Sequence, residues 1–205
     1  MPKNTFLELD QDKRERIIEV ALNEFAAYGY ENSSTNRIVK ECGISKGSLF
    51  KYFENKEDLY FYLIETVALE MMHDMAPDAD SLPEEIKARI IDYSLAEISW
   101  YIANPVKGHF MIGIAAERGD IYNKIVERFG ERSSNTYEEL ITGAKVEGKT
   151  ATGELSDILL WVLKGYNERF LNENDIATVP LEKLREDYMS GLSAYLDIIL
   201  KDTCK

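Results

Sequence analysis

Apolar residues recur along this 205-residue chain at the three- and four-residue spacing of α-helices, and no stretch shows the sustained alternation of a strand. One apolar stripe predicts a first helix from about Asp12 to Tyr28, which Gly29 ends. Two short helices are predicted over about 35–43 and 45–53, and a longer one runs from Lys56 toward Met75. These segments predict an all-α protein.

The second half of the chain continues the helical pattern after a polar linker from Pro77 to Pro83. The next helix ends at Asn104-Pro105, because proline cannot continue the hydrogen-bond ladder of a helix. Shorter helical pieces are expected over 110–116 and 121–144, a loop over 148–153, and two strongly periodic helices close the chain around 155–170 and 184–199.

Charge at first argues against a nucleic-acid partner. The chain has 24 Lys and Arg against 37 Asp and Glu, which gives a formal net charge of −13 and a pI near 4.7. The charge is uneven, however: residues 1–60 carry only −2 of it, whereas residues 61–205 carry −11. Between Asn32 and Lys56 the balance reverses to +3, so a basic face can lie on an acidic body.

Neither a membrane span nor a secretory signal is predicted. The longest apolar run, Ile158–Leu163, is far shorter than the roughly 20 residues that cross a bilayer. Met1–Asp10 lacks the apolar core of a signal peptide. Cys42 and Cys204 are the only thiols, which favours a reducing cytoplasm over a disulfide framework.

The stretch from Thr35 to Phe53 has the spacing of a helix-turn-helix. Ile38 and Cys42 lie four residues apart and share a helix face, and Gly43 can adopt the positive φ that a tight turn requires. Ser45 is a good N-cap for the second of the two helices. This geometry alone also fits two ordinary short helices joined by a glycine.

The second helix presents a face that suits the major groove of DNA. Leu49 and Phe53 point inward, so small, cationic and aromatic groups remain outside. Gly47 and Ser48 allow close approach, and Lys51 can reach an acceptor on a base edge. The outer residues are Lys46, Gly47, Ser48, Phe50, Lys51 and Tyr52.

Several fixed spacings identify a known family. The first helix reads Ile17-Ile18-x-x-Ala21-x-x-x-Phe25-x-x-x-Gly29, the turn reads Gly43-Ile44-Ser45, the recognition helix is Lys46–Phe53, and Asn55-Lys56-Glu57-Asp58-Leu59 opens the fourth helix. Over Lys13–Leu63 the chain thus resembles the TetR/AcrR one-component transcriptional repressors. It departs from them at Phe50, where the family usually has tyrosine, and at Val39 and Cys42, where it often has alanine.

The resemblance implies roles for individual residues. Thr35 and Tyr52 are expected to contact phosphates, and Lys56 to anchor the fourth helix to the DNA backbone. Base contacts are expected from Arg37, Lys46, Ser48 and Lys51. With the residues that shape the recognition helix, the expected DNA-binding set is Thr35, Arg37, Ser45, Lys46, Gly47, Ser48, Phe50, Lys51, Tyr52 and Lys56.

The resemblance also implies a ligand cavity and a homodimer interface in the later helices, the last two helices forming a four-helix bundle with their copies. The domains are expected to be an N-terminal arm over 1–11, a helix-turn-helix domain over 12–56, and an effector-binding and dimerisation domain over 57–205. Candidate ligand contacts are Trp100, Tyr101, Phe110, Met111, Trp161 and Tyr166. Candidate interface residues are Leu159, Val162, Tyr166, Tyr188, Leu192, Tyr195 and Ile199.

The sequence thus predicts a ligand-released homodimeric repressor that binds a palindromic double-stranded operator, without enzymatic activity, cofactor or membrane partner. An adaptor that has lost DNA binding is an alternative. Gly143–Thr150 also matches the P-loop pattern GxxxxGK[ST], but it lacks a preceding strand and a following helix. His73 and His109 lie far apart, without a second ligand at metal spacing.

Overall fold

The computed structural model describes residues 2–75, 83–141, 144–146, 149–150, 153–174 and 181–202. Helices dominate these residues, which confirms the predicted all-α class. The helices are α1 (Asn4–Leu7), α2 (Gln11–Asn32), α3 (Thr35–Cys42), α4 (Lys46–Tyr52), α5 (Lys56–Met75), α6 (Ile86–Ala103), α7 (Pro105–Ala116), α8 (Gly119–Ile141), α9 (Glu154–Glu173) and α10 (Leu181–Asp202).

Two features of the chain bear on the predicted element bounds. Helix α2 extends to Asn32, but it is broken at Gly29, whose φ of 65° and ψ of −178° are not helical, so the continuous helix ends where the sequence predicted. Pro105 ends α6 and at the same time begins α7, because the first helical position needs no donor from its nitrogen. The predicted linker, apart from Pro83, lies outside the described residues.

The segment that matches a P-loop is described only in part. Lys145–Val146 and Lys149–Thr150 form the two-residue strands β1 and β2, which pair antiparallel. A phosphate loop requires a helix that begins at the Lys-Thr pair, whereas Lys149 and Thr150 lie in a strand and the next helix begins at Glu154. The segment therefore matches the P-loop in sequence but does not have the helix on which phosphate binding depends.

The chain packs as two units. The first comprises residues 1–74 and 106–125, and the second comprises residues 75–105 and 126–205. The first unit includes α5, which the sequence-based division at residue 57 assigned to the body. The reason is packing: the Tyr60 ring lies 4.9 Å from that of Phe25 on α2, and Phe53 lies 5.7 Å from Tyr62.

Each unit buries its own apolar core. In the first unit, the core is built from Ile17, Ala21, Phe25, Ile38, Leu49, Phe53, Leu59 and Leu63. In the second unit, it is built from Ile90, Ile98, Leu159, Leu163, Leu184, Leu192 and Leu196. Among the described residues, every helix falls short of the length and apolar character that a membrane span requires.

Candidate nucleic-acid interface

The turn between α3 and α4 is fixed by local backbone chemistry. Gly43 ends α3 with φ 69° and ψ 29°, a left-handed conformation that glycine adopts without steric cost. Ser45 then caps α4, because its Oγ accepts a hydrogen bond of 3.0 Å from the N–H of Ser48. The sequence-predicted turn and cap therefore form as expected, and they set the direction in which α4 leaves α3.

Helix α4 has an apolar inner side and an exposed outer side. Leu49 and Phe53 are buried in the first unit. The exposed residues are Ser45, Lys46, Gly47 and Lys51, and Ser48 and Phe50 are half-buried beside them. Two lysines and a glycine on one side of a short helix leave room and positive charge for a phosphate-rich groove.

Tyr52 is not on the outer side, which corrects the expectation from sequence. Its side chain is 8% exposed, and its ring lies 6.0 Å from that of Phe6. The residues before α2 cover it, and the helical spacing of α4 alone gave no sign of that cover. Thr35, at the start of α3, is half-buried.

Arg37 is held by a carboxylate of its own unit. Its Nε donates to both carboxylate oxygens of Glu24 at 2.9 and 3.0 Å, and its guanidinium lies 4.3 Å from the centre of the Tyr28 ring. The hydrogen bond that Arg37 donates to the Glu24 carboxylate raises the pKa of the guanidinium. Glu24 is buried and also accepts the N–H of Ser34 at 2.7 Å. Arg37, expected at the bases, thus joins α3 to α2.

Lys56 also contacts protein rather than solvent. Its Nζ donates to the carbonyl of Tyr30 at 2.6 Å and to that of Ser33 at 3.3 Å, and lies 4.4 Å from the centre of the Tyr30 ring. These carbonyls stand at the end of α2, where helical hydrogen bonds run out. The side chain expected to anchor α5 to the DNA backbone therefore closes the end of α2.

Glu117, which lies in the later segment of the first unit, binds α2 just after its interruption at Gly29. Its Oε1 accepts the N–H of Tyr30 at 2.7 Å and the hydroxyl of Tyr60 at 3.3 Å. Burial, with Glu117 adding to it, raises the pKa of the Tyr60 phenol. A second link joins Lys124 to Glu57 at 2.7 Å. The sequence gave no signal for Glu117, because its partners lie 57 and 87 positions away.

The six candidate ligand contacts fall into different settings. Phe110 is buried in the first unit, 5.5 Å from the ring of Tyr60. Trp100 and Tyr101 are buried in the second unit, with ring centres 5.9 Å apart. Trp161 is 72% exposed on α9, where it lines an open groove together with Tyr166, and its contact with a ligand stays a prediction. Met111 and Tyr166 are half-buried.

The candidate interface residues divide in the same way. Leu159, Tyr188 and Leu192 pack inside the second unit, with exposures of 0%, 1% and 0%. These side chains form part of the core of the unit, and their contact with a partner stays a prediction. Tyr195 is exposed, and Val162, Tyr166 and Ile199 are half-buried. Two further apolar residues of these helices, Ile158 and Ile198, are exposed without having been predicted at the interface, and Trp161, predicted as a ligand contact, is exposed beside them.

The described titratable side chains do not gather into a metal site. Among the residues that the structure describes, no three His, Cys, Asp or Glu side chains converge as metal ligands. His73 is exposed and lies 3.4 Å from Asp74. The polar side chains described above bond helix ends and turns of the first unit, whereas Lys46 and Lys51 of α4 are exposed.

Residues 17–63 match the family profile described as "Bacterial regulatory proteins, tetR family". An HTH-type transcriptional regulator of Staphylococcus aureus strain bovine RF122 is 48% identical over 54 residues, which are 26% of this chain and 29% of that protein. One from strain USA300 is 46% identical over 55 residues, or 27% and 30% of the two chains. The chain therefore spans less than a third of the length of these curated relatives.

Solved structures extend the likeness to the whole fold. A TetR family transcriptional regulator from Chloroflexus aurantiacus superposes with a TM-score of 0.66 at 22% identity, covering 98% of both chains. A TetR-like regulator from Rhodococcus gives 0.67 at 14% identity over 91% of this chain and 97% of the other. The helix-turn-helix segment thus matches the tetR family of bacterial regulatory proteins, and the whole chain shares the fold of these solved regulators.

Proposed function

We propose that the chain regulates transcription by binding double-stranded DNA through the outer side of α4. The observation that carries the proposal is the division of this helix, which buries Leu49 and exposes Lys46, Gly47 and Lys51. A helix held in this way offers its N-terminal half and its cations to the major groove. The family membership of the helix-turn-helix supports the same conclusion.

The charge distribution predicts how this binding depends on salt. The basic window between Asn32 and Lys56 carries +3, but the rest of the chain is strongly acidic. An acidic mass lowers the attraction of a protein to any phosphate backbone, so sequence-independent binding is expected to be weak. Affinity then depends on close contacts by Lys46 and Lys51, and it falls steeply as salt rises.

Selection from a random duplex library with the wild-type protein supplies the DNA probe for the test. Lys51→Ala is expected to lower affinity for the selected duplex by about 1–3 kcal/mol and to leave the melting temperature unchanged. The matched control is Lys183→Ala, which removes an exposed lysine of α10 in the second unit. A wild-type protein that retards no duplex at about 50 mM salt would overturn the proposal.

We further propose that the protein acts as a homodimer through α9 and α10. These helices carry a groove of about 230 Å³, which is lined by Trp161, Val162, Gly165, Tyr166, Arg169 and Tyr195. An indole that is 72% exposed on such a face is unusual for an isolated chain. A second copy offers the same face, and a two-fold axis lets each Trp161 approach the partner's groove.

Sedimentation of a charge variant tests the dimer. Trp161→Glu places an anion at the centre of the proposed face and is expected to weaken association by about 100-fold or more, because a buried unpaired charge is costly. Tyr122→Glu is the control, since it charges an exposed aromatic residue of α8 in the first unit. A wild-type protein that sediments as a monomer at micromolar concentration would contradict the proposal.

The dimer in turn suggests a palindromic operator. Two copies of α4 placed about one DNA turn apart, roughly 34 Å, would read equivalent half-sites. The expected action is repression. A small molecule would favour a dimer in which the two copies of α4 are differently spaced, so that they no longer fit the operator. Such a ligand acts only through its differential affinity for the two states. Footprinting of the selected duplex is expected to show two protected half-sites, and one continuous asymmetric footprint would argue against a palindrome.

The second unit contains a buried polar cluster that supports a ligand site within it. Glu97 accepts hydrogen bonds from Asn167 at 2.7 Å and from Tyr101 at 3.3 Å, and Tyr188 donates to Asn167. Ser94, three residues before Glu97 on α6, is also fully buried. Of the candidate ligand contacts, Trp100 and Tyr101 adjoin this cluster along α6.

Binding measurements on variants test this site. A ligand found by thermal-shift screening of the wild-type protein is expected to lose affinity in Tyr101→Phe and Ser94→Ala. The control is Tyr122→Phe, which changes an exposed aromatic residue of the first unit. Equal affinity of all three variants for that ligand would place the ligand elsewhere.

A further inference from the structure

The residues before α2 close the C-terminal end of the recognition helix. The backbone N–H of Lys3 donates to the carbonyl of Tyr52 at 2.8 Å, and its Nζ donates to the carbonyl of Phe50 at 3.1 Å. The hydroxyl of Thr5 donates to the carbonyl of Lys51 at 2.7 Å. Three consecutive carbonyls of α4 are thus bonded to one short segment that lies about 46 positions earlier in the chain.

These are carbonyls that the helix cannot satisfy by itself. The last four carbonyls of any helix lack intrahelical donors, and α4 has only seven residues. After Tyr52, Phe53 is extended, with φ −127° and ψ 147°, so the chain does not provide a glycine-type C-cap. The donors therefore come from a separate segment, and the end of α4 is ordered by contacts of that segment.

The segment itself is firmly attached to the first unit. Phe6 is fully buried, with its ring 4.7 Å from that of Phe53 and 5.5 Å from that of Tyr62. Lys3 pairs with Glu54 at 2.9 Å, and Arg14 donates to the carbonyl of Leu7 at 3.0 Å. A buried aromatic anchor and ties at both ends make this segment part of the packing rather than a free tail.

We propose that residues 2–9 form a positioning arm, which fixes α4 for DNA binding without contacting DNA itself. Lys3 and Thr5 are its positioning residues. Thr5 bonds the carbonyl of Lys51, and Lys3 bonds the carbonyls of the residues immediately before and after it. A small rotation of α4 would displace the Lys51 side chain from the groove, and binding groups tolerate only small misplacements. This inference rests on the proposed DNA-binding function and adds its supporting segment.

The first test uses Thr5→Val, which has nearly the same shape but lacks the hydroxyl, with Thr5→Ser as the variant that restores the donor. Hydrogen exchange of the amides in residues 46–53, measured without DNA, is expected to become faster in Thr5→Val and to return toward the wild-type rate in Thr5→Ser. Affinity for the duplex selected with the wild-type protein is expected to fall about fivefold in Thr5→Val, the usual effect of one hydrogen bond, and to recover in Thr5→Ser.

The salt dependence of Lys3→Met separates positioning from direct contact. A lysine that touches a phosphate contributes about 0.9 to the slope of log K against log salt. A positioning lysine lowers affinity and leaves this slope at its wild-type value, which is the result expected for Lys3→Met. A slope reduced by about 0.9 would overturn the inference, because Lys3 would then bind the DNA backbone.

Failure of the inference is distinguishable from failure of the proposed function. If Thr5→Val binds the selected duplex as tightly as the wild-type protein and exchanges its amides at the same rate, the positioning arm is overturned while DNA binding stands. If the wild-type protein selects no duplex, the proposed function is overturned and the positioning role falls with it, whatever the exchange rates of α4 are.

Discussion

The recognition helix and the last two helices carry similar amphipathic stripes in sequence, yet different forces hold them. Helix α4 is seven residues long and is fixed at both ends by polar contacts: the hydroxyl of Ser45 at its start and the donors of Lys3 and Thr5 at its end. Helices α9 and α10 are 20 and 22 residues long and pack through apolar and aromatic side chains.

The contact between α9 and α10 shows how close that packing is. The Tyr166 hydroxyl donates to the Tyr188 carbonyl at 2.7 Å. It lies over Gly191, where an added Cβ would collide with it. A helix as short as α4 can be displaced by the loss of one hydrogen-bond donor, whereas the packing of α9 against α10 depends on the volumes of the side chains between them. In α4 as in α9 and α10, the apolar stripe of the sequence locates the buried face of the helix. The function of each helix depends on the residues of its opposite, exposed face.

The largest expected effect separates the buried and exposed residues of α9. Leu159→Ala removes a fully buried side chain and is expected to lower the free energy of unfolding by about 2–5 kcal/mol, because it leaves a cavity. Trp161→Ala, two positions later, is expected to change the stability of the monomer by less than about 0.5 kcal/mol. Denaturant unfolding at concentrations where the protein is monomeric measures both, and equal losses would erase the distinction.

Glu117 tests how far polar contacts hold the helix-turn-helix unit. Glu117→Ala leaves the N–H of Tyr30 without its acceptor and is expected to cost about 1–3 kcal/mol in unfolding free energy. Glu117→Gln keeps an acceptor oxygen and is expected to lose less than half of that. If thermal unfolding of Glu117→Ala matches the wild type, the closure of α2 does not depend on this carboxylate.

High pH is expected to lower the stability of both units in the same way. Burial raises the pKa of Tyr60 in the first unit and of Tyr188 in the second. The unfolded chain loses these protons near the ordinary pKa of about 10, while the folded chain keeps them, so stability is complete below pH 10 and declines above it. Each phenol contributes a slope of up to about 1.4 kcal/mol per pH unit.

Replacement of either phenol tests that expectation. Tyr188→Phe and Tyr60→Phe are each expected to flatten the decline of the unfolding free energy between pH 10 and 12, whatever constant offset each variant shows from its lost hydrogen bond. A decline as steep as that of the wild type in Tyr188→Phe would assign the titration to other groups.

The smallest effect concerns the cap of α4. Ser45→Ala is expected to cost about 1 kcal/mol in unfolding free energy, because the N–H of Ser48 loses its acceptor. Ser45→Asp retains a capping oxygen and so retains stability, but its charge would repel phosphate and weaken DNA binding. A variant Ser45→Asp that binds DNA like the wild type would separate Ser45 from the proposed interface.

Local rules predicted the first unit well. The periods of α2 to α5, the turn at Gly43 and the cap at Ser45 follow from spacing and from residue chemistry that acts over a few positions. The family resemblance of this segment was confirmed by the matched profile over residues 17–63. The outward cations Lys46 and Lys51 were also placed correctly on the exposed side, although their contact with DNA stays a prediction.

Contacts between distant positions were the part that sequence could not supply. Tyr52 is covered by Phe6, and Arg37 is taken by Glu24, because segments 13 to 46 positions apart meet in the fold. On α9 and α10 the period showed that apolar residues share a stripe, but it could not show which stripe faces the unit. Leu159, predicted at the dimer interface, is therefore buried within the unit, and Trp161, predicted to contact a ligand, is exposed.

The commitment of Arg37 has a consequence for the information that an operator must contain. All three arginines of residues 1–60 bond protein acceptors: Arg14 the carbonyl of Leu7, Arg16 that of Glu41, and Arg37 the carboxylate of Glu24. Lysines are then left to meet the groove, and an ammonium on a flexible stem fixes the position of its partner base less rigidly than the planar fork of a guanidinium does. We expect the selected duplexes to share half-site spacing and flexible base steps more strongly than fixed guanines.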